Sequence, residues 1–301
     1  MLKLVLPKGS LERATLELFS AADLTVERSS SVDYKATIAD PRVDSVAILR
    51  PQEIPRYVQE GLFDIGITGR DWVEETGSDV VSLGRLGYSK ATSKPIRLVL
   101  AVAGDSPVMR PEDLAGLGLG RLPRVATEYP SLTGRWLRDR GVEADVAYSF
   151  GATEAKVPEI ADAVVELTET GRAIRAAGLR IVDTLLESHT ELIANKDAVS
   201  DERKAHAMHQ LHTLLEGALQ ARDQVLLKLN VVAPSLEAVL AVLPAMRSPT
   251  VSRLAPSPGS DLEAFALEKV VAKASVNTLI PALKDAGATD ILELALSKIV
   301  R

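Results

Sequence analysis

Six consecutive residues, Thr168-Glu169-Thr170-Gly171-Arg172-Ala173, bring together two hydroxyls, a carboxylate, a guanidinium and a glycine. They lie between an apolar run, Ala161–Leu167, and a short helical pattern, Gly171–Ala177. A strand that ends in a polar turn and opens a helix points backbone N–H groups outward, and the positive helix end favours an anion there. Thr168 and Thr170 add hydroxyl donors, and Arg172 a charged one. Glu166, at the end of the strand, suits the vicinal hydroxyls of a sugar, which leaves the loop for a phosphate. An ordinary strand–turn–helix connection uses the same residue types, because Gly and Thr suit turns.

Lys8 and Gly9 follow the apolar run Leu2–Leu6. A lysine between a strand and a helix can meet a diphosphate, with Gly9 letting the backbone come close; a solvated lysine beside a turn glycine has the same sequence. Arg50, before Pro51, carries a planar fork suited to phosphates and carboxylates, or is a surface charge at a strand end. In Gly66-Ile67-Thr68-Gly69-Arg70-Asp71, Gly69 makes a turn that a substrate can approach, and Asp71 is expected to cap the following helix. Glu128-Tyr129-Pro130 marks another strand-to-helix turn, where Tyr129 packs beside a nucleobase or at the core edge. His206, His209 and His212 rotate roughly 60° per step on a helix and do not converge on one ion, so a solvated or interface helix is expected. His189 has no neighbour that points to a nucleophile, and no Gly-Xaa-Ser-Xaa-Gly elbow occurs.

Elements must hold these groups. Apolar runs at Leu2–Leu6, Ser45–Leu49, Phe63–Thr68, Ile96–Val102, Arg124–Ala126, Asp145–Tyr148, Ala161–Leu167 and Leu179–Leu185 read as strands. Helical patterns at Leu11–Ala22, Pro51–Glu60, Asp71–Thr76, Ser131–Arg140 and Gly171–Ala177 alternate with them, which predicts crossover units on mainly parallel sheets. Ser200–Arg222 reads as a long helix with Ser200 as its N-cap. Beyond it, strand Val225–Val232, helix Leu236–Met246, strand Pro249–Leu254, a turn at Gly259, strand Ala264–Val271, helix Val276–Ala286 and strand Asp290–Val300 spell βαββαβ. That is a ferredoxin-like module able to close on itself, an add-on of regulatory or oligomerising kind. The expected division is 1–97 with 186–222, 98–185, and 223–301.

With 301 residues, 46% apolar and 25% charged, the chain is globular, of two domains or three if one is small. Thirty-five basic against 41 acidic residues, a net charge of -6, argues against a dedicated nucleic-acid or anionic-membrane binder. The absence of cysteine excludes disulfides, thiolate metal sites and cysteine nucleophiles. Pro7 and Lys8 end the first apolar run far short of a signal-peptide core, and no stretch approaches the roughly 20 apolar residues of a membrane span. A soluble cytoplasmic protein is expected.

Ala161–Leu179 resembles the phosphoribosyl-diphosphate loop of the ATP phosphoribosyltransferases, which open histidine biosynthesis. So do Leu6–Leu11, Leu49–Val58, Gly66–Trp72 and Ala126–Pro130, while Ser248-Pro249-Thr250-Val251 resembles the long form with its regulatory domain. The resemblance implies two periplasmic-binding-protein-like α/β lobes around a cleft, plus the ferredoxin-like module. It further implies attack of adenine N1 of ATP on the ribose C1 of phosphoribosyl diphosphate, with inversion and a Mg²⁺-bound leaving group. Lys8, Arg50 and Glu166 would be the catalytic residues. Gly9, Gly69, Asp71, Glu128, Tyr129 and the loop from Thr168 to Ala173 would bind substrate. Histidine as inhibitor would bind at Ser248, Pro249 and Thr250 of a homo-oligomer, from dimer to hexamer. Two positions depart from the family pattern: Ala173-Ile174 stands where a hydroxyl residue and Leu are common, and Ser10 where Arg is common, with Arg13 one turn on as a substitute charge. A two-lobed binding protein for a small anion, or a non-catalytic regulatory paralogue, would share much of this pattern.

Overall fold

A computed structural model describes residues 1–30, 33–88, 96–118, 120–244, 248–255 and 262–300. The chain forms two compact units, Met1–His212 and Thr213–Arg301.

The first unit opens with β1 (Leu2–Pro7), α1 (Glu12–Ala21), β2 (Val26–Glu27), β3 (Lys35–Ile38), β4 (Val43–Leu49), α2 (Ile54–Gln59), β5 (Ile65–Gly69), α3 (Arg70–Thr76) and β6 (Val81–Leu86). It continues with β7 (Ile96–Ala103), β8 (Arg124–Thr127), α4 (Pro130–Arg138), β9 (Asp145–Tyr148), β10 (Ala163–Thr168), α5 (Arg172–Ala176), β11 (Leu179–Ser188), β12 (Thr190–Ala194) and α6 (Lys196–Ser200). The strands build two sheets, β2-β3-β4-β1-β5-β12-β6 and β11-β7-β10-β8-β9. β1 pairs parallel with β4 and β5, and β8 pairs parallel with β9 and β10. The flanking pairs are antiparallel, β5–β12 and β7–β10 among them, so both sheets are mixed rather than mainly parallel. The difference arises because the chain crosses back: β11 ends the second sheet at Ser188, and β12 re-enters the first at Thr190. β5 and β12 are buried along their whole length and β7 along most of its own, as central strands require.

α3 belongs in sequence to the first sheet, yet its Trp72 packs into the second sheet's core with Tyr129, Trp136 and Leu137. Two carboxylate-to-backbone contacts reinforce this: Glu75 accepts from the Ser131 and Leu132 N–H groups at 2.9 and 2.8 Å, satisfying the open start of α4. α7 (Glu202–Ala221) is capped by Asp201, whose Oδ1 accepts from the Arg203 and Lys204 N–H groups, and not by Ser200, which belongs to α6. The boundary between the two units falls within α7.

The second unit holds β13 (Gln224–Val232), α8 (Leu236–Val242), β14 (Thr250–Arg253), β15 (Ala264–Ala272), α9 (Val276–Asp285) and β16 (Ala288–Ala295). Its antiparallel sheet runs β14-β15-β13-β16, the ferredoxin-like order, with Val239, Leu279 and Leu283 of the helices packed on Leu227, Leu229 and Leu267. β16 ends at Ala295 rather than Val300. The turn expected at Gly259 and the end of the helix expected to reach Met246 lie outside the described residues.

Candidate active site

A cavity of about 440 Å³ opens between the two sheets of the first unit. From the first sheet come Ser10 and Leu11 after β1, Pro51 after β4, Gly69 at the end of β5, and Asp71 and Trp72 after it; from the second come Glu128 after β8 and Glu166 to Glu169 at the end of β10. Both sheets thus present the carboxyl ends of their parallel strands, where open α/β sheets bind ligands. The crossing Ser188-His189-Thr190 lines it as well.

The β10–α5 loop is held by its own hydroxyls. Thr168 Oγ1 accepts from the Gly171 N–H at 2.7 Å, Thr170 Oγ1 accepts from the Arg172 N–H at 3.4 Å, and Arg175 donates to the Thr170 carbonyl at 2.9 Å. Gly171 sits at φ +71°, where a side chain is strained. Two N–H groups that sequence assigned to an anion are therefore engaged inside the loop, and α5 is only five residues long, so its dipole is weak. Each threonine keeps a hydroxyl proton to donate. Thr168 and Glu169 line the cavity, whereas Thr170, Arg172 and Ala173 are exposed.

Glu166 is half-buried on the cavity wall. Burial pushes its carboxyl above the ordinary range, the Thr153 hydroxyl and the Leu167 N–H pull it back, and the nearby Glu128 and Glu154 raise it further. The Leu167 N–H reaches Glu166 Oε1 at 3.0 Å.

Asp71 is 4% exposed. Its Oδ2 accepts from the Tyr129 hydroxyl at 2.7 Å, and its Oδ1 from the Ser188 hydroxyl. Burial raises its pKa despite these two donors, and the same burial, with Asp71 opposite, holds the Tyr129 hydroxyl well above its usual value. Asp71 is no helix cap: Gly69 holds the N-cap position, and Asp71 lies in the first turn, turned inward. Tyr129, 2% exposed with its ring 4.4 Å from that of Trp72, is a core-edge residue rather than an open base platform. A Cβ on Gly69 would stand 2.2 Å from Asp71 Oδ1, so that glycine is required by the carboxylate behind it.

Lys8 and Arg50 follow paired positions, Pro7 and Leu49, on adjacent strands. Neither lines the cavity. The Lys8 ammonium lies 4.0 Å over the Tyr34 ring, and Arg50 is exposed, with its Nη1 3.6 Å from where a Gly9 Cβ would be. Gly9, at φ +89°, donates to Glu12 at 3.3 Å. Arg13 is a solvent-side partner of Glu17, so it supplies no charge to the cavity in place of Ser10.

His189 is the site residue that sequence reading passed over. Burial and the nearby Arg85 and Arg70 lower its pKa, against the pull of Glu191, whose Oε1 is 3.8 Å from Nε2. The shift favours the neutral ring. Of the other histidines, His206 pairs with Gln210, while His209 and His212 line a separate small cavity, where His212 Nε2 lies against Gly84. In the second unit, Ser248 and Thr250 are exposed, and Thr250 opens the edge strand β14 opposite Glu268.

Residues 50–217 match the family model described as HisG: ATP phosphoribosyltransferase, and residues 221–298 match HisG, C-terminal domain. A protein of Nitratidesulfovibrio vulgaris (strain DP4) named ATP phosphoribosyltransferase is 48% identical over 300 residues, covering 99% of this chain and 98% of its own. One of the same name from Pelotomaculum thermopropionicum is 46% identical over 301 residues, with 99% of both chains covered. Among solved structures, a chain of the Thermotoga maritima ATP phosphoribosyl transferase (HisG:HisZ) complex superposes with a TM-score of 0.59 at 25% identity, over 72% of this chain and 99% of that one.

Proposed function

The chain belongs to the ATP phosphoribosyltransferase family, in the form that carries a C-terminal domain, and we propose that it joins ATP to phosphoribosyl diphosphate at the cavity between its two sheets. The observation that carries this reading is the convergence of Glu166, Thr168, Glu128 and Asp71 on one cavity at the carboxyl ends of both sheets. Glu166 accepts hydrogen bonds from the ribose hydroxyls, and the Thr168–Ala173 loop takes the 5′-phosphate. Lys8 and Arg50 reach in from the rim toward the diphosphate. The N1 lone pair of the adenine then forms a bond to C1, the C1–O bond breaks with inversion, and diphosphate leaves with the electron pair. No covalent protein intermediate is needed. The protein aligns two anionic substrates and stabilises the charge that develops on the leaving group.

Mg²⁺ is expected with the diphosphate. Among the described residues no three His, Asp or Glu side chains converge to hold an ion, so the donor set does not fit a protein cage, and no step is assigned to the metal. Residues 1–97 with 186–222 and 98–185 form the two catalytic lobes in this reading, and 223–301 the regulatory domain. Histidine, the pathway's end product, acts there through Ser248, Pro249 and Thr250 of a homo-oligomer in the cytoplasm, by binding one arrangement of the protein better than another. Among the described residues no helix is long and apolar enough to cross a membrane.

The test is direct. Protein mixed with ATP, phosphoribosyl diphosphate and Mg²⁺ should generate the absorbance of an N1-substituted adenine, and millimolar histidine should suppress it. A full-length protein active but indifferent to histidine would remove the regulatory part alone. No absorbance change at all would favour a binding protein or a non-catalytic paralogue.

A further inference from the structure

Among the described residues of the first unit, three aromatic side chains are exposed: Tyr34, Tyr148 and Phe150. Tyr34 lies under the Lys8 ammonium. Tyr148 ends β9, and Phe150 follows it at 93% exposure, its ring 4.7 Å from that of Tyr148 in a T-shaped contact. A lone exposed apolar residue is ordinary on a protein surface. Two aromatic rings in contact, one of them almost wholly solvated, contribute little to folding and suit a flat ligand.

Their place in the fold says which ligand. Tyr148 stands in parallel register with Thr127, the last residue of β8, and the Ser149 N–H donates to the Thr127 carbonyl at 2.8 Å. Ser149 therefore leaves the sheet beside Glu128, roughly 5 Å away across one strand spacing, and Glu128 lines the cavity. The chain under Phe150 is fixed, because Ser149 is buried and Lys156 Nζ donates to its Oγ at 2.5 Å. Phe150 is not itself a wall residue; it stands next to the wall, on the side of Glu128. An adenine ring needs a flat apolar face. Among the described residues the only aromatic side chain on the cavity wall is Trp72, which is 8% exposed and has the Tyr129 ring 4.4 Å away. Glu128 is an acceptor, to which the exocyclic amine of adenine can donate and a triphosphate cannot. N1 neighbours the carbon that bears this amine, so a base held by Phe150 and Glu128 turns N1 toward the ribose at Glu166, which is close enough to Glu128 to feel its charge. We propose that Phe150, supported by Tyr148, is the platform on which the adenine of ATP stacks. The inference rests on the reading above, in which ATP enters this cavity.

Phe150→Ala and Phe150→Trp in the full-length protein test it. Because Phe150 is solvated, Phe150→Ala should leave the thermal melt and the oligomeric mass unchanged. It should raise the KM for ATP about ten-fold, the loss of one stacked base, and leave that for phosphoribosyl diphosphate within about two-fold. Phe150→Trp keeps a flat face and should hold the ATP KM near its original value. The added indole should lose fluorescence when ATP binds and keep it with tripolyphosphate, which has no base. Trp72 and Trp136, the two tryptophans of the unaltered protein, are buried and supply the background. An ATP KM unmoved by Phe150→Ala, or an indole emission that saturating ATP leaves unchanged, would overturn the platform. So would a changed oligomeric mass in Phe150→Ala, which would make the aromatic pair a contact between copies of the chain. Quenching by ATP in a protein that forms no N1-substituted product would remove the transferase reading and leave the platform standing; product without quenching would do the reverse.

Discussion

The second-sheet wall of the cavity carries carboxylates and hydroxyls already in place, Glu128, Glu166, Thr168 and Glu169, whereas the first-sheet wall carries its cations at a distance. On that side the cavity meets Ser10, Leu11, Pro51, Gly69, Trp72 and the inward-turned Asp71, while Lys8 rests on the Tyr34 ring and Arg50 stands in solvent. In the proposed reading the difference separates two tasks. A sugar with several hydroxyls is recognised by acceptors of fixed direction, and fixing them needs buried support such as Thr168 gives its loop. A leaving diphosphate needs charge, which a long flexible side chain brings without a prebuilt pocket. Tyr34 is 58% exposed, and a cation–π contact at such a site is worth only about 0.5–1 kcal/mol, so Lys8 leaves it readily.

Breaking the prebuilt side should have the largest effect. In Gly171→Val a Cβ would lie 2.7 Å from Arg175 Nη1 and 3.3 Å from Ile181 Cδ1, at a φ of +71° that branched residues avoid. The loop must move, and the KM for phosphoribosyl diphosphate should rise about a hundred-fold, the equivalent of two lost hydrogen bonds to a charged group. An unchanged KM in a folded variant would remove the loop from the site. Next in size is the contact beneath the cavity: Tyr129→Phe leaves buried Asp71 with one donor fewer and should lower unfolding stability by about 1–3 kcal/mol in denaturant melts. An equal melt would mean that Asp71 does not need this partner.

Smaller shifts should come with pH. Because burial raises the Glu166 pKa, the acidic limb of kcat/KM for phosphoribosyl diphosphate should lie above the ordinary carboxylate range, and Glu128→Gln should move it down by removing a neighbouring negative charge. The stability term has the opposite sense to that of a paired carboxylate. With the folded pKa above the unfolded one, the folded state holds more protons in the interval between them, so stability falls as pH rises through it. Asp71 adds to this slope for the same reason, and Asp71→Asn should flatten it in melts at several pH values. The smallest effect belongs to Tyr34→Ala, which should change kcat by no more than about three-fold if its contact with Lys8 is a resting place.

Part of this was legible in the sequence. Runs such as Leu2–Leu6 and Ile96–Val102 are apolar at every position but one, Lys3 and Arg97, because β1 and β7 are interior strands. The ferredoxin-like order followed from period alone. β2, β3, β6 and β12 were not foreseen: Val26–Glu27 is two residues, Lys35–Ile38 and Val81–Leu86 mix polar and apolar positions, and Thr190–Ala194 contains a charge, Glu191, that is buried. With β12 went the crossing at Ser188 and His189, although Leu192-Ile193-Ala194 ahead of the capping Asn195 was a usable signal. The turn with Thr168 and Gly171 was readable as a loop. Whether its N–H groups face a ligand or its own threonines depends on backbone angles that residue types do not set. The same is true of Lys8, whose strand end was evident and whose direction was not.

The comparison between the two walls is tested most directly by equilibrium binding of phosphoribosyl diphosphate with Mg²⁺, without ATP, beside turnover with both substrates, for Glu166→Gln and Lys8→Met. The prebuilt wall predicts that Glu166→Gln weakens binding about ten-fold or more. Lys8→Met should bind within a few-fold of the unaltered protein yet lose about ten-fold or more in kcat, since in the proposed reading its charge meets the diphosphate chiefly as it departs. Weak binding by Lys8→Met with normal kcat, together with normal binding by Glu166→Gln, would contradict the account.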